Sequence, residues 1–281
     1  MLASVSALTL ICGANTSEAQ DRPKITIGAS GGYVMGPNST ADEFFVGDSY
    51  DFTSIEEIPT LTGNYFAVVV GAEVMPAWDI RAKLAATHTR DTSVEFEYDD
   101  PDDKLGELLG EMGTGLDYQT LDIELGYTPA LDDDFEVRLI AGVRALHYSD
   151  RLEVTDKIGE QDEETTHYEN DFLGIGPRLG IEASQRFAST SFGVSASAAG
   201  AVAFGGVDQS VNGEDPISDG KVIATLEGTV GVDYYIGDVG KLTFGYRGEV
   251  LSGVHDFEIE GGELHSYQVT HGPVLEFLAS F

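Results

Sequence analysis

Residues 221–250 read KVIATLEGTVGVDYYIGDVGKLTFGYRGEV, two alternating runs joined by the short connection Gly237 to Gly240. In the first run Val222, Ala224, Leu226, Val230, Val232, Tyr234 and Ile236 share one parity, and Thr225, Glu227, Thr229 and Asp233 the other. In the second, Leu242, Phe244, Tyr246 and Val250 oppose Lys241, Thr243, Arg247 and Glu249. Successive side chains of a β-strand point to opposite faces, so each run is a strand with one apolar and one charged face.

The same rule holds outward from this hairpin. Trp78, Ile80, Ala82, Leu84 and Ala86 oppose Asp79, Arg81 and Lys83; Phe135, Val137, Leu139, Ala141 and Val143 oppose Glu136, Arg138 and Arg144; Leu121, Ile123, Leu125 and Tyr127 oppose Asp122 and Glu124. Period-two segments fall at residues 24–35, 62–74, 78–97, 115–127, 135–149, 168–187, 191–205, 221–236, 241–255 and 266–281. Their connections alternate strictly. Long ones cover 36–61, 98–114, 150–167, 206–220 and 256–265; short ones are 75–77, 128–134, 188–190 and 237–240. Outer-membrane barrels have tight periplasmic turns and longer outer loops. An even strand count returns both termini to the periplasm.

Alternation alone does not say which face is inside, because a soluble barrel or sandwich shows the same period. Three features favour lipid on the apolar face. The polar face is often made of small residues, as in Ser191, Gly193, Ser195, Ser197, Ala199, Ala201 and Ala203, which suits a narrow lumen. Beside the short turns the outward positions are aromatic: Trp78, Tyr127, Phe135, Phe187, Phe192, Tyr234, Phe244 and Phe281 form a periplasmic girdle, with Tyr33, Phe66, Phe204 and Tyr267 near the opposite ends. Finally, the apolar stretch Leu242 to Val250, tilted by about 40°, rises roughly 23 Å, matching an apolar band of about 25 Å. The expected fold is all-β: a closed antiparallel transmembrane barrel of about ten strands, eight to twelve at the limits, with short periplasmic turns and long acidic outer loops.

Composition excludes other classes. With 15 Lys and Arg against 49 Asp and Glu, net −34, the chain lacks the basic surface that nucleic acid requires. No apolar run reaches the roughly 18 residues of a helical span. Leu2 to Ala14 is apolar and Ser17-Glu18-Ala19 is a small-x-small cleavage signal, so residues 1–19 read as a cleaved signal peptide and 20–281 as the barrel domain. Cys12 follows the bulky Ile11, which argues against a lipid anchor, and without it the mature chain has no cysteine. The terminal strand, with Leu275, Phe277 and Phe281 on one face, reads as the segment that the barrel assembly machinery engages.

A few positions break the pattern. His271, Pro273 and Gln185 fall on the lipid face, and Pro177 interrupts a strand; a bulge around Gly272-Pro273 is the expected reason for the first two.

The run Phe172-x-Gly174-x-Gly176-Pro177-Arg178-x-Gly180, followed by a small-residue strand ending in Gly205-Gly206, resembles the Legionella-type major outer membrane protein family. That resemblance covers about 35 residues in detail and the rest by architecture. It implies an integral, pore-forming barrel and no catalytic residues. Family members carry cysteines that could cross-link subunits, and the mature chain here has none, so disulfide-linked oligomers are not expected.

Function is read from the lumen and the loops. The inward parity holds Arg81, Lys83, Arg138, Arg144, Arg178, Arg186, Lys241 and Arg247, and among acids Glu73, Asp79, Asp122, Glu124, Glu136, Glu182, Glu227, Asp233, Glu249 and Glu276. Of these, Arg81, Lys83, Glu124, Arg138, Arg144, Arg178, Glu182, Arg186, Glu227, Asp233, Arg247 and Glu249 are the expected pore lining, with Arg178 foremost by the family match. Large porins need about 16 to 18 strands, so ten leave at most a narrow conduit for ions or small solutes. The alternative is a paired network that blocks flow in a structural or surface-binding barrel. Asp99 to Asp103, Glu160 to Glu164 and Asp42 to Glu57 are acidic clusters that read as solvated outer loops, or as weak Ca²⁺ or Mg²⁺ sites bridging to lipopolysaccharide. No cofactor is expected. His88, His147, His167, His255 and His265 lie near outer strand ends, where small barrels of the omptin type carry proteolytic sites, but their parity is mixed and no enzyme is expected.

Overall fold

The computed structural model describes residues 24–37, 52–55, 60–90, 92–99, 107–130, 134–158, 164–213, 217–237, 239–259 and 262–281. Among them there is no helix and no cis peptide bond. The strands are β1 (Ile25–Gly36), β2 (Phe52–Ile55), β3 (Leu61–Met75), β4 (Trp78–Thr89), β5 (Thr92–Asp99), β6 (Glu107–Tyr127), β7 (Phe135–Ile158), β8 (Glu164–Arg186), β9 (Phe192–Val211), β10 (Ile217–Ile236), β11 (Gly240–Ile259) and β12 (Gly262–Ser280). All pairings are antiparallel, and β1 closes on β12, with Ser30 opposite Glu276. The circuit β1-β3-β4-β6-β7-β8-β9-β10-β11-β12 is a closed ten-stranded barrel.

β4 and β5 both pair with β6, on either side of Arg90, with the register shifted by one residue between them. The segment expected as one strand over 78–97 is therefore one bent wall element in two pieces. β2 pairs only with β5 and stands outside the circuit.

Which face meets lipid follows from exposure. Phe244, Leu226 and Val230 are 67%, 61% and 61% exposed, whereas Glu227 and Arg247 on the same two strands are 8% and 7% exposed. An apolar surface of this extent on a closed wall is the lipid-facing band of a membrane barrel.

The tight turns at Pro76-Ala77 and Phe187–Ser191 and the one entered at Gly237 each pass through the left-handed region, at Ala77 (φ 68°), Ser189 (φ 64°) and Gly237 (φ 62°), as short hairpins demand. Ile25 and Phe281 exchange backbone hydrogen bonds of 3.0 and 2.9 Å at this same end, so both ends of the described chain lie there.

At the opposite end the structure departs from the expected loops. β6 begins at Glu107, β7 runs to Ile158, β8 begins at Glu164, and β11 and β12 continue to Ile259 and Gly262. Much of what reads as loop is hairpin extension. Spanning needs only about 9–11 residues, so strands of 20 to 24 residues project well beyond a bilayer.

The bulge expected at Gly272-Pro273 is absent. The β11–β12 register is unbroken from Ala279 to Tyr267, and the irregularity lies between Ser252 and Asp256, where Gly253 takes a φ of 83°. His271 and Pro273 do face outward. The His271 ring is accommodated by stacking on Tyr246 and by a 2.5 Å hydrogen bond between its Nδ1 and the Tyr246 hydroxyl. Gln185 pairs with Phe135 at the short-turn rim, outside the apolar band. Pro177 has no N–H to give, and the β8–β9 ladder lapses between Ile175 and Arg178 without changing register.

Candidate functional site

The lumen is stacked in layers. At mid-height the inward residues of β4, β6, β7, β8, β10 and β11 meet across the axis as a network of ion pairs. Arg144 holds Asp122 through two parallel bonds, Nε to Oδ1 at 2.7 Å and Nη2 to Oδ2 at 2.8 Å, and extends Nη2 to Glu227 at 3.1 Å. Arg178 donates to Glu124 at 3.0 Å and to Glu227. Arg247 reaches Glu227 at 2.9 Å and Glu249 at 2.8 Å, with its guanidinium 4.2 Å from the Tyr65 ring centroid. Arg138 binds Asp79 at 2.7 Å and reaches Glu124 at 3.3 Å, while Arg81 donates to Glu182 at 3.1 Å. Lys83 lies 3.6 Å from Glu227, and the Tyr118 hydroxyl donates to Glu249.

Six cations (Arg81, Lys83, Arg138, Arg144, Arg178, Arg247) thus meet six carboxylates (Asp79, Asp122, Glu124, Glu182, Glu227, Glu249). Balance is a physical requirement, because a desolvated charge without a partner costs several kcal/mol. Glu227 is the hub, receiving Arg144, Arg178 and Arg247. Asp122, Arg144, Arg138, Glu249 and Arg178 are all at most 3% exposed.

Small residues make these contacts fit. Gly126 faces inward between Arg138 and Asp79; a Cβ there would stand 2.2 Å from Arg138 Nε and 2.5 Å from Asp79 Oδ2. The missing side chain is the space through which Arg138 crosses β6 to reach β4.

On the long-hairpin side of the ion pairs lies a second layer that is apolar although it faces inward: Leu116, Tyr118, Leu146, Tyr148, Phe172, Ala203, Val207, Ile223 and Leu251 form one buried cluster, with Tyr148 stacked on Phe172 at 5.6 Å. On the short-turn side the lumen instead opens into a chamber of about 910 Å³, reaching from Arg178, Glu227 and Arg247 to Pro76, Trp78 and Gly237 at the rim.

Every residue expected to line a pore is in the barrel interior. Arg81, Lys83, Glu124, Arg138, Arg144, Arg178, Glu182, Glu227, Arg247 and Glu249 belong to the ion-pair layer. Asp233 stands apart, accepting from Thr243 at 2.6 Å and Ser195 at 2.9 Å. Arg186 lies at the chamber rim over the Tyr235 ring. The apolar layer and the Tyr65 and Tyr118 contacts were not expected. Their signal was nevertheless present: Leu116, Leu146, Phe172, Ile223 and Leu251 sit at the parity of the charged residues.

The girdle aromatics face outward. Tyr127, Phe135, Phe187, Phe192, Tyr234, Phe244 and Phe281 are exposed, and Trp78 packs on Tyr127 with ring centroids 4.8 Å apart. His88 pairs with Asp117, and His147 with Asp171 at 3.7 Å, on the outer wall rather than in the lumen. The side chains of His255, of His265 and of the acidic clusters 42–57, 99–103 and 160–164 lie outside those described, as do residues 1–19. Among the described residues no His, Cys, Asp and Glu group has a metal-binding arrangement.

Comparison with known proteins agrees with this geometry. The outer membrane protease OmpT from Escherichia coli aligns with 95% of this chain and 99% of its own at 12% identity, with a TM-score of 0.56, a likeness of fold alone. The translocator domain of the autotransporter NalP from Neisseria meningitidis aligns over 94% and 90% of the two chains at 9% identity (TM-score 0.40), and an outer membrane channel from Pseudomonas putida F1 over 95% and 100% at 10% identity (TM-score 0.32). No curated protein matches in sequence. The family described by the Legionella pneumophila major outer membrane protein precursor matches residues 75–248, more than half of the chain. The chain therefore belongs to that family, and it is an integral β-barrel of the bacterial outer membrane.

Proposed function

We propose that the protein is a barrel whose lumen is closed at rest, and that it serves the envelope through its wall and its acidic outer hairpins. The observation that carries this reading is the double closure at mid-height. We read a densely paired ion layer backed by a buried apolar layer as leaving no aqueous path beyond the chamber. Ten strands enclose an interior that side chains can fill, and beyond the short-turn chamber these two layers fill it. In this reading the short turns and both termini face the periplasm, lipopolysaccharide surrounds the outer wall, and the assembly machinery engages the strand ending at Phe281.

Recording current across a planar bilayer holding the refolded protein tests the proposal. A closed barrel gives a silent trace at moderate voltage; regular unitary steps would overturn it. The passive pore implied by the family is the second reading, favoured by the chamber, which already carries an aqueous vestibule to the level of Arg178. For that pore to open, the contacts of Arg144, Arg178 and Arg247 to Glu227 must part together. Catalysis forms no part of the proposal: the His88–Asp117 and His147–Asp171 pairs lie side by side on the outer wall, with Ser149 between the two aspartates, and none of these residues faces the lumen.

A further inference from the structure

The chamber wall has donors in excess. Among its buried lining atoms, the two that lack a hydrogen-bond partner are both guanidinium nitrogens, Arg178 Nη1 and Arg81 Nε. Arg81 Nε lies 3.1 Å from Asp79 Oδ1 but is not aligned with it. Lys83 Nζ is 3.6 Å from Glu227 Oε1, beyond good hydrogen-bond length. Glu227 and Asp79 cannot turn to serve these donors, because Glu227 already accepts from three arginines and Asp79 is held by Arg138. A buried donor left unmade is unfavourable, and a mobile acceptor in the chamber relieves it once the guanidinium turns towards it.

Charge does not oppose an anion there: over the whole chain acids outnumber bases 49 to 15, whereas the chamber lining is close to balance, with eight Lys and Arg against seven Asp and Glu. A volume of about 910 Å³ is within the range of small-molecule sites.

We propose that the short-turn chamber is a binding site for a small oxyanion, a carboxylate or phosphate solute, held at its blind end by Arg81, Lys83 and Arg178. The ligand enters from the rim where Trp78 stands. Binding does not depend on whether the lumen conducts, so this inference and the closure proposed above fail separately.

Trp78 is the single tryptophan of the chain and lines the chamber, which makes its fluorescence a local reporter. The test titrates the refolded full barrel in detergent with inorganic phosphate and, separately, with succinate, ionic strength being held constant with chloride. Saturable binding of either anion, confirmed by calorimetry, is expected; the tighter of the two identifies the source. Lys83→Met should weaken that binding about tenfold, the loss of one charge-assisted contact, while Glu227 keeps its three arginines. Arg151→Gln, the same charge change on the outer wall, should leave it unaltered. If Lys83→Met does not refold, Arg81→Gln takes its place, Asp79 remaining paired with Arg138. Absence of saturable binding by both anions, or a chamber variant that binds like the parent, overturns the site. Unitary conductance together with anion binding would overturn closure and leave the site standing.

Discussion

Leu226 and Glu227 are consecutive residues of β10, and one is 61% exposed while the other is 8% exposed. The lipid face and the lumen they represent are built on opposite principles. On the outer wall each apolar side chain meets acyl chains on its own account, and its contribution is independent of residues a few turns of the wall away. Inside, no charge is tolerable without its partners, and Glu227 alone ties together β4, β7, β8 and β11. The outside is additive and the inside is a coupled unit.

The largest effect should come from breaking the coupled unit. Arg144→Met leaves Asp122, which is fully buried, with only the 3.4 Å approach of Arg178. Removing one partner of a buried pair costs about 3–5 kcal/mol, and that loss of stability is expected in urea unfolding followed by Trp78 emission. Adding Asp122→Asn should recover much of it, giving a non-additive cycle; simple addition of the two single losses would show that the layer is not coupled. The next largest effect probes the outer wall. Val230→Arg, opposite Tyr246 in the middle of the Leu242 to Val250 stretch, should destabilise the barrel in lipid vesicles by about 2–4 kcal/mol. Leu226→Arg, on the same face but about 13 Å along the strand and opposite Val250 at the end of that stretch, should cost less and add to it independently.

The same contrast explains what the chain discloses before it folds. Parity exposes both faces, because lipid demands an unbroken apolar set and the lumen accepts charge; Trp78 to Ala86 and Phe135 to Val143 could be oriented residue by residue. Beyond the bilayer that demand disappears. Residues 107–114 and 164–167 carry no period-two contrast in the sequence and read as loop although their backbone ladders continue. Partners within the lumen were equally hidden. Arg178 meets Glu227 and Tyr118 meets Glu249 across 49 and 131 residues of sequence, distances that only closure of the barrel makes short. The expected bulge at Pro273 failed for a related reason: a polar ring on the outer wall found a neighbour, Tyr246, instead of a change of phase.

A smaller effect tests the fit between the two regions. Gly126→Ala inserts a methyl 2.2 Å from Arg138 Nε, and displacing that guanidinium from Asp79 should cost about 1–3 kcal/mol, read from the same unfolding curves. An unchanged midpoint would mean that Arg138 finds Asp79 by another route.

The smallest expected effect lies at His271, where polarity sits on the face that should have none. Its Nδ1 and the Tyr246 hydroxyl satisfy each other at 2.5 Å. His271→Phe strands the hydroxyl and should cost about 1 kcal/mol, whereas His271→Phe with Tyr246→Phe removes both polar groups and should be nearly neutral. Stability in vesicles of the single and double variants decides it. Equal losses from both would mean that the ring stack at 5.8 Å, not the hydrogen bond, is what the outer wall retains. A neutral double variant would show that even this polar pair follows the local, independent logic of the lipid face, in contrast to Asp122 and Arg144 one wall-thickness away.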